Sequence, residues 1–134
     1  MIQFRYTCFF VRDVPAAVSF YERAFRFSLR YMHPSRGYAE LDTGATLLAF
    51  ASEAFVDEAK LLGLTRTRPN RPELDPVAAQ IALVTDEIES DWQHAVAAGA
   101  TIVKSLEPKP WGQTAGYLRD PDGILVELCT PSPR

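Results

Sequence analysis

Hydrophobic and polar residues alternate along this chain in short runs that end at turn or loop residues. Such alternation predicts β-strands. In the first run the aromatic side chains of Tyr6 and Phe10 share one face with Cys8. The predicted strands are Gln3–Val11, Phe27–Tyr31, Tyr38–Leu41, Ala45–Ala51, Gln80–Val84, Thr101–Val103 and two that flank a turn at Asp120–Gly123.

Apolar residues at helical spacing predict helices between the strands. The first helix opens at Asp13, which is placed to cap its free amides, and Pro15 suits its first turn. A short helix is predicted over Glu53–Leu62. Another opens at Asp86, where Glu89 completes a capping box, and its buried side and end are marked by Ile88, Trp92, Val96 and Gly99.

The stretch after the last loop carries a strand, a turn and a second strand. The turn is Asp-Pro-Asp-Gly, and the apolar run behind it alternates so that Leu125, Glu127 and Cys129 share a face. Burying a carboxylate in an apolar strand is costly unless the group is paired, hydrogen-bonded or ligating. Glu127 is therefore either a functional group, acting as general base or hydrogen-bond anchor, or a carboxylate paired with Arg5 or Arg119.

The chain repeats itself. The segment 37–44, which opens with Gly-Tyr and closes with Gly, recurs as segment 116–123 at an offset of 79 residues. One strand-helix-strand-strand-strand unit cannot cover both faces of its sheet, whereas two related units can. We therefore predict one domain over 1–134, with module one at about 1–65, a proline- and arginine-rich connector at about 66–78, and module two at about 79–134.

The repeat also brings candidate site residues into register. At the offset of 79, Glu127 corresponds to Leu48, and Tyr6 and Gln80 hold matching places at the starts of the two modules. These four side chains should converge on one concavity if the modules pair symmetrically. We expect Glu127 and Tyr6 to face one another there, with Gln80 nearby.

Composition narrows the class of protein. The 134 residues carry a formal net charge of −3, and 47% are hydrophobic, which fits a globular domain and argues against a nucleic-acid partner. Charged residues throughout the first thirty positions leave no signal-peptide core or membrane span, so a cytoplasmic location is expected. Cys8 and Cys129 have no metal-site spacing and are expected to be small buried apolar residues.

Four stretches together resemble the vicinal oxygen chelate superfamily, which includes glyoxalase I, the bleomycin resistance proteins and extradiol dioxygenases. They are FFVRDVPAAVSFYERAF, QIALVTD, AVAAGATIV and KPWGQTAGYLRDPDGILVEL. The resemblance implies an α+β fold in which two βαβββ modules form a cup-shaped mixed sheet, in a homodimer. In metal-dependent members, ligands come from the first and last strands of each module.

Carried over to this chain, the ligand positions are Tyr6, Leu48 or its neighbour Ala49, Gln80 and Glu127. Glu127 matches a family Glu, and Gln80 holds a place that is usually His. Leu48 and Ala49 cannot bind metal, and neutral Tyr6 is a poor ligand, whereas a catalytic divalent site generally needs about three His or carboxylate ligands. The sequence therefore predicts no metal cofactor, the alternative being a divalent ion such as Zn, Ni or Fe.

Aromatic residues supply a second kind of candidate site. Trp111 is either a lid that stacks on a ligand or a plug over the sheet edge, and Tyr6, Phe10, Tyr38 and Tyr117 complete an aromatic cup. The sequence favours a small-molecule-binding protein that sequesters a drug or metabolite. The alternative is a metal-dependent lyase, isomerase or dioxygenase, and whether any reaction is catalysed stays open.

Overall fold

The computed structural model describes residues 1–133, which form two compact units. The first unit is Met1–Pro69, and the second begins at Asn70. The boundary falls inside the connector predicted at 66–78. Each unit has its own sheet and its own long helix, so each is described by itself.

The first unit contains two helices and a four-stranded mixed sheet. Along the chain these are β1 (Tyr6–Val11), α1 (Val14–Phe25), β2 (Ser28–Met32), β3 (Tyr38–Asp42), β4 (Leu47–Ser52) and α2 (Glu53–Glu58). The strand order is β1-β4-β3-β2, in which β1 runs parallel to β4 and the other neighbours are antiparallel.

Helix α1 forms where the sequence predicts it, and its inner face makes the core of the first unit. The Asp13 carboxylate accepts a hydrogen bond from the Ala16 amide at 3.0 Å, which satisfies one free amide of the first turn. Arg26 ends the helix in the left-handed conformation, with φ of 59°. Tyr21 is fully buried and its ring lies 5.2 Å from the ring of Phe50 in β4. This contact fixes which face of the sheet the helix covers.

The second unit repeats this order with a single helix. Its elements are β5 (Gln80–Val84), α3 (Ile88–Ala97), β6 (Thr101–Pro108), β7 (Thr114–Arg119) and β8 (Leu125–Cys129). The strand order is β5-β8-β7-β6, and β5 runs parallel to β8. Each unit is thus a βαβββ module and the fold is α+β, as predicted. The cup that the resemblance implies stays a prediction.

The predicted start of α3 is wrong. Its first residue is Ile88, and Glu87 at the N-cap makes no side-chain capping bond. Thr85 takes over the role assigned to Asp86, because its hydroxyl accepts from the Glu87 amide at 2.9 Å and donates to Asp91 at 2.6 Å. The buried stripe is correspondingly centred on Trp92 and Ala95, with Ile88 and Val96 half-buried at its flanks.

Other predicted boundaries also shift, each for a local reason. β1 starts at Tyr6 because the first residue of its partner β4, Leu47, pairs with Tyr6. Helix α2 stops at Glu58, and Lys60 behind it is left-handed, with φ of 50°. β6 extends to Pro108, beyond its predicted end at Val103, since an exposed edge strand with two register shifts lacks clean apolar alternation.

Within the described residues no helix combines the length and the apolar character needed to cross a membrane.

Candidate functional site

Each sheet packs one face on the long helix of its unit, and we call the opposite face the distal face. In the second unit the Trp92 ring of α3 lies against Gly116, so closely that a Cβ added at Gly116 would be only 2.5 Å from a ring carbon. Because side chains alternate along a strand, Gly116 marks the helix side of β7 and Tyr117 points to the distal face. Tyr117 pairs with Glu127, and Glu127 pairs with Ala82, so the Glu127 side chain is distal as well.

The Glu127 carboxylate is held by a neighbouring side chain. Gln80, the first residue of β5, donates a hydrogen bond from Nε2 to Glu127 Oε1 at 2.9 Å. Arg119 is not its counter-ion, because the Arg119 guanidinium donates its hydrogen bonds to the carbonyls of Arg71, Pro72, Leu74 and Gly123. The expected proximity of Gln80 to Glu127 is therefore present in this unit. The expectation that Glu127 faces Tyr6 stays a prediction.

Lys109 is a neighbour of this site that the sequence did not reveal. Its side chain is only 10% exposed, its Nζ lies 2.6 Å from Glu107 Oε1, and the ammonium sits 5.3 Å from the centre of the Tyr117 ring. Its pKa is raised chiefly by the bond to Glu107, with a smaller contribution from the charge of Glu127. Lys109 lies between Pro108 and Pro110, where the local pattern predicts a loop and gives no sign of a shielded cation.

Trp111 is exposed at the end of the second unit. The indole is 54% exposed, and its Nε1 donates to Gln113 Oε1 at 2.8 Å. Gln113 in turn donates to the Thr130 carbonyl at 2.8 Å and lies 3.6 Å from Cys129 Sγ. This degree of exposure does not suit a plug over the sheet edge. The ring is anchored by its indole N–H and is more than half exposed.

In the first unit the strand register separates two of the predicted site residues. Tyr6 pairs with Leu47 and shares the distal face with its next-but-one neighbour in sequence, Cys8, which pairs with Ala49. Leu48 is 5% exposed and shares the helix side of β4 with Phe50. Leu48 and Tyr6 therefore lie on opposite faces of this sheet.

The two registers correct the equivalence drawn from the sequence. In both units the parallel pair starts at the first residue of each strand, with Tyr6 opposite Leu47 and Gln80 opposite Leu125. Glu127 is the third residue of β8, so its counterpart is Ala49, the third residue of β4, and not Leu48. By these registers the offset is 77 between Glu40 and Tyr117 and 78 between Ala49 and Glu127, because the turn before β8 is one residue longer than the turn before β4.

Glu40 of β3 places a carboxylate on the distal face of the first unit, next to Ala49. Glu40 pairs with Ala49 in the way that Tyr117 pairs with Glu127. The Tyr38 hydroxyl donates to Glu40 Oε2 at 2.8 Å. Burial first, and then this bond to Glu40, raise the pKa of Tyr38. Sequence reasoning passed over Glu40, because a polar residue in an alternating strand is ordinarily one that faces water.

Comparison with known proteins decides the family. The family model of the Glyoxalase/Bleomycin resistance protein/Dioxygenase superfamily matches residues 3–128. The chain belongs to this superfamily. An uncharacterized protein of Mycobacterium tuberculosis is 27% identical over 90% of this chain and 70% of its own length.

Solved structures of the superfamily share the fold. A glyoxalase-related enzyme from Fulvimarina pelagi superposes with a TM-score of 0.79 at 20% identity, covering 98% of this chain and 89% of its own. A glyoxalase/bleomycin resistance protein/dioxygenase family enzyme from Burkholderia phytofirmans gives 0.71 at 23%, with coverages of 93% and 95%. TioX from Micromonospora sp. ML1 gives 0.69 at 25%, with coverages of 96% and 98%.

The residues at the superfamily's metal positions do not fit a divalent ion. With the observed register, the positions that the resemblance gives as metal ligands hold Tyr6, Ala49, Gln80 and Glu127, of which only Glu127 is a carboxylate and Ala49 offers a methyl group. Across residues 1–133, no three or more His, Cys, Asp or Glu side chains are grouped so that they could hold a metal. The Gln80 amide instead provides a donor to the carboxylate.

Neither cysteine is activated as a nucleophile. Burial raises the pKa of Cys8 to about 11, and burial together with the charge of Glu127 raises that of Cys129. Because the thiolate is the reactive form, we expect both thiols to be alkylated by iodoacetamide at about pH 7 at least tenfold more slowly than free cysteine. Mass spectrometry of timed samples measures this. Rapid modification of either residue in folded protein would show that the thiol is ionised.

A cavity of about 600 Å³ lies in the first unit between the segment that precedes β1 and the turn that joins β3 to β4. Its lining includes Phe4, Arg5, Arg30 and Asp42. It holds none of the residues predicted from the sequence as a site. Its polar character comes from charged side chains at the rim, and Arg30 is the residue it shares with the surroundings of Glu40.

Proposed function

We propose that this superfamily member binds a small organic molecule, a drug or metabolite that it sequesters, and that it does so without a divalent metal. The observation that carries the proposal is the hydrogen bond from Gln80 Nε2 to Glu127 Oε1 at 2.9 Å. A carboxylate at a metal position is here held by a neutral amide. Its second carboxylate oxygen can accept a hydrogen bond from a ligand.

The surroundings of Glu127 support a binding role. Tyr117 lies beside it in the sheet, Lys109 covers that ring, and Trp111 presents an exposed indole. Ligand sites typically combine aromatic or apolar walls with a few fixed polar groups. We assign Glu127 and Gln80 as the polar groups, and Tyr117 and Trp111 as ligand-contacting rings. Tyr6 lies on the distal face of the first unit and is considered separately for that face. Leu48 lies on the helix side and is not assigned a role in binding.

A metal-dependent lyase, isomerase or dioxygenase is not favoured by any contact of the described residues. Such chemistry needs either the metal or an acid and base pair at one place. The metal positions do not fit, and both thiols are protonated at neutral pH. Lys109 is held as a cation by Glu107, which makes it a poor general base.

A retention experiment tests the proposal. Chelator-dialysed protein is mixed with a deproteinised small-molecule extract of bacterial cells, passed through a desalting column, and the bound compounds are identified by mass spectrometry. We expect at least one compound to be retained by the wild type and about tenfold less of it by Glu127→Gln, because a hydrogen bond to a charged group contributes about 1.5 kcal/mol or more.

The matched control is Glu89→Gln, which removes an exposed carboxylate from α3 in the same unit. It should retain as much as the wild type. If the wild type retains nothing, or if Glu127→Gln retains as much as Glu89→Gln, the proposed site is wrong.

A homodimer is proposed as well, on the strength of the family resemblance. Light scattering at micromolar concentration should then give about twice the chain mass of 15.0 kDa. A mass equal to that of one chain would contradict it. A cytoplasmic location also stays a proposal, and fractionation of cells that express the protein measures it.

A further inference from the structure

The distal face of the first unit is reshaped by a bulge in β2. Leu29 pairs with Leu41, but the next printed pair is Tyr31 with Glu40, so that Arg30 is an extra residue. Without the bulge, Tyr31 would share the helix side of the sheet with Leu29. The bulge turns its ring to the distal face, opposite Glu40. Bulges of this kind re-aim side chains and are common beside functional sites.

Tyrosine rings surround the carboxylate that the bulge faces. The ring centres of Tyr31 and Tyr38 lie 6.4 Å apart at an interplanar angle of 53°. Tyr6 lies on the same face, two residues before Cys8, and Cys8 and Glu40 both pair with Ala49. Tyr6 and Tyr31 are each 44% exposed. These rings leave accessible π-surface beside a negative charge.

The two oxygens of Glu40 differ in their partners. Oε2 accepts the Tyr38 hydroxyl at 2.8 Å, which fixes the orientation of the carboxylate. Oε1 lies 3.9 Å from Arg30 Nε, beyond hydrogen-bond distance, and the Arg30 side chain is 51% exposed. An exposed ion pair of this length contributes little to stability. Arg30 is thus a loosely held cation that a ligand can displace.

From this arrangement we propose that the distal face of the first unit binds an organic cation, with Glu40 as the counter-charge and Tyr6, Tyr31 and Tyr38 as the aromatic contacts. An alkylammonium group is attracted both by the carboxylate and by the faces of the rings. A neutral group of the same shape gains neither attraction. This inference rests on the proposed small-molecule binding and adds the chemical class of the ligand for this face.

The test compares choline with its uncharged carbon isostere, dimethylbutanol, by ligand-observed NMR titration of the whole chain. We expect choline to bind at least about fivefold more tightly than the isostere. Glu40→Gln should weaken choline binding about fivefold and leave the isostere unchanged, since a surface charge pair contributes up to about 1 kcal/mol. Added salt should weaken binding of choline alone.

Two further variants separate a binding role from a structural one. Arg30→Gln removes the competing cation and should strengthen choline binding two- to fivefold, an effect that damage to the fold would not produce. Glu22→Gln, an exposed carboxylate on α1, is the matched control and should bind as the wild type does. Circular dichroism confirms that each variant is folded.

The inference is overturned if choline and dimethylbutanol bind equally, if neither binds, or if Glu40→Gln and Arg30→Gln leave choline binding unaltered. These outcomes leave the proposed binding function standing, because that function is tested by the retention experiment with Glu127→Gln. Conversely, a failed retention experiment with charge-selective choline binding would confine the binding site to the first unit.

Discussion

Gly123→Ala should lower the free energy of unfolding by about 3 kcal/mol or more, whereas Gly44→Ala should lower it by about 1 kcal/mol. Both glycines have positive φ, 88° and 100°, so both variants carry the strain of a left-handed alanine. A Cβ at Gly123 would also overlap the Arg71 carbonyl, with the Arg71 carbon 2.7 Å away, while a Cβ at Gly44 meets nothing within 4 Å.

Chemical denaturation of the two variants, side by side with the wild type, measures the difference. Subtracting the loss in unfolding free energy of Gly44→Ala from that of Gly123→Ala removes the backbone strain that both variants share. The remainder is the cost of the steric overlap with Arg71 of the connector. Equal losses in the two variants would mean that the connector residue Arg71 does not pack against the turn.

Arg119→Met should lower the free energy of unfolding by about 3 kcal/mol. Its guanidinium donates to the carbonyls of Arg71, Pro72, Leu74 and Gly123 at 2.7 to 3.0 Å. Methionine keeps much of the side-chain length but leaves these carbonyls without that donor. Arg119→Lys should recover part of the loss, because an ammonium cannot reach all four acceptors in a planar fork.

Arg66→Met is the control, since Arg66 is an exposed arginine of the same connector. It should change the free energy of unfolding by less than about 0.5 kcal/mol. A similar loss in both variants, measured by thermal and urea unfolding, would contradict the view that Arg119 ties residues 71–74 to the end of β7.

The module pattern was predictable because its signals are local. Asp13 and the apolar stripe behind it specify α1, and alternation specifies the strands, so that Gln80–Val84 matches β5. The predicted boundaries of helices and strands were wrong where a contact that the apolar pattern does not show sets the boundary. Thr85 replaces Asp86 at the start of α3 through a bond to Asp91, and β6 is an edge strand whose pairing with β7 extends it beyond its apolar part.

The candidate site was predictable in part. An acid in an apolar strand singled out Glu127, and the observed bond to Gln80 joins two of the predicted residues. Leu48 was misplaced because a shift of one residue along a strand reverses the face, and a repeat offset cannot resolve that shift. Glu40 and Lys109 carry no signal of their own. Their roles depend on a bulge in β2 and on the packing of a loop lysine over Tyr117.

Isothermal titration of chelator-dialysed protein with zinc and nickel ions tests most directly whether Glu127 is held by the protein instead of by a metal. Of the positions that the family resemblance gives as metal ligands, only Glu127 carries a carboxylate, so we expect no stoichiometric binding tighter than about micromolar for either ion. Glu127→Gln should then give the same weak titration as the wild type. One ion per chain bound at nanomolar affinity, and lost in Glu127→Gln, would contradict the account.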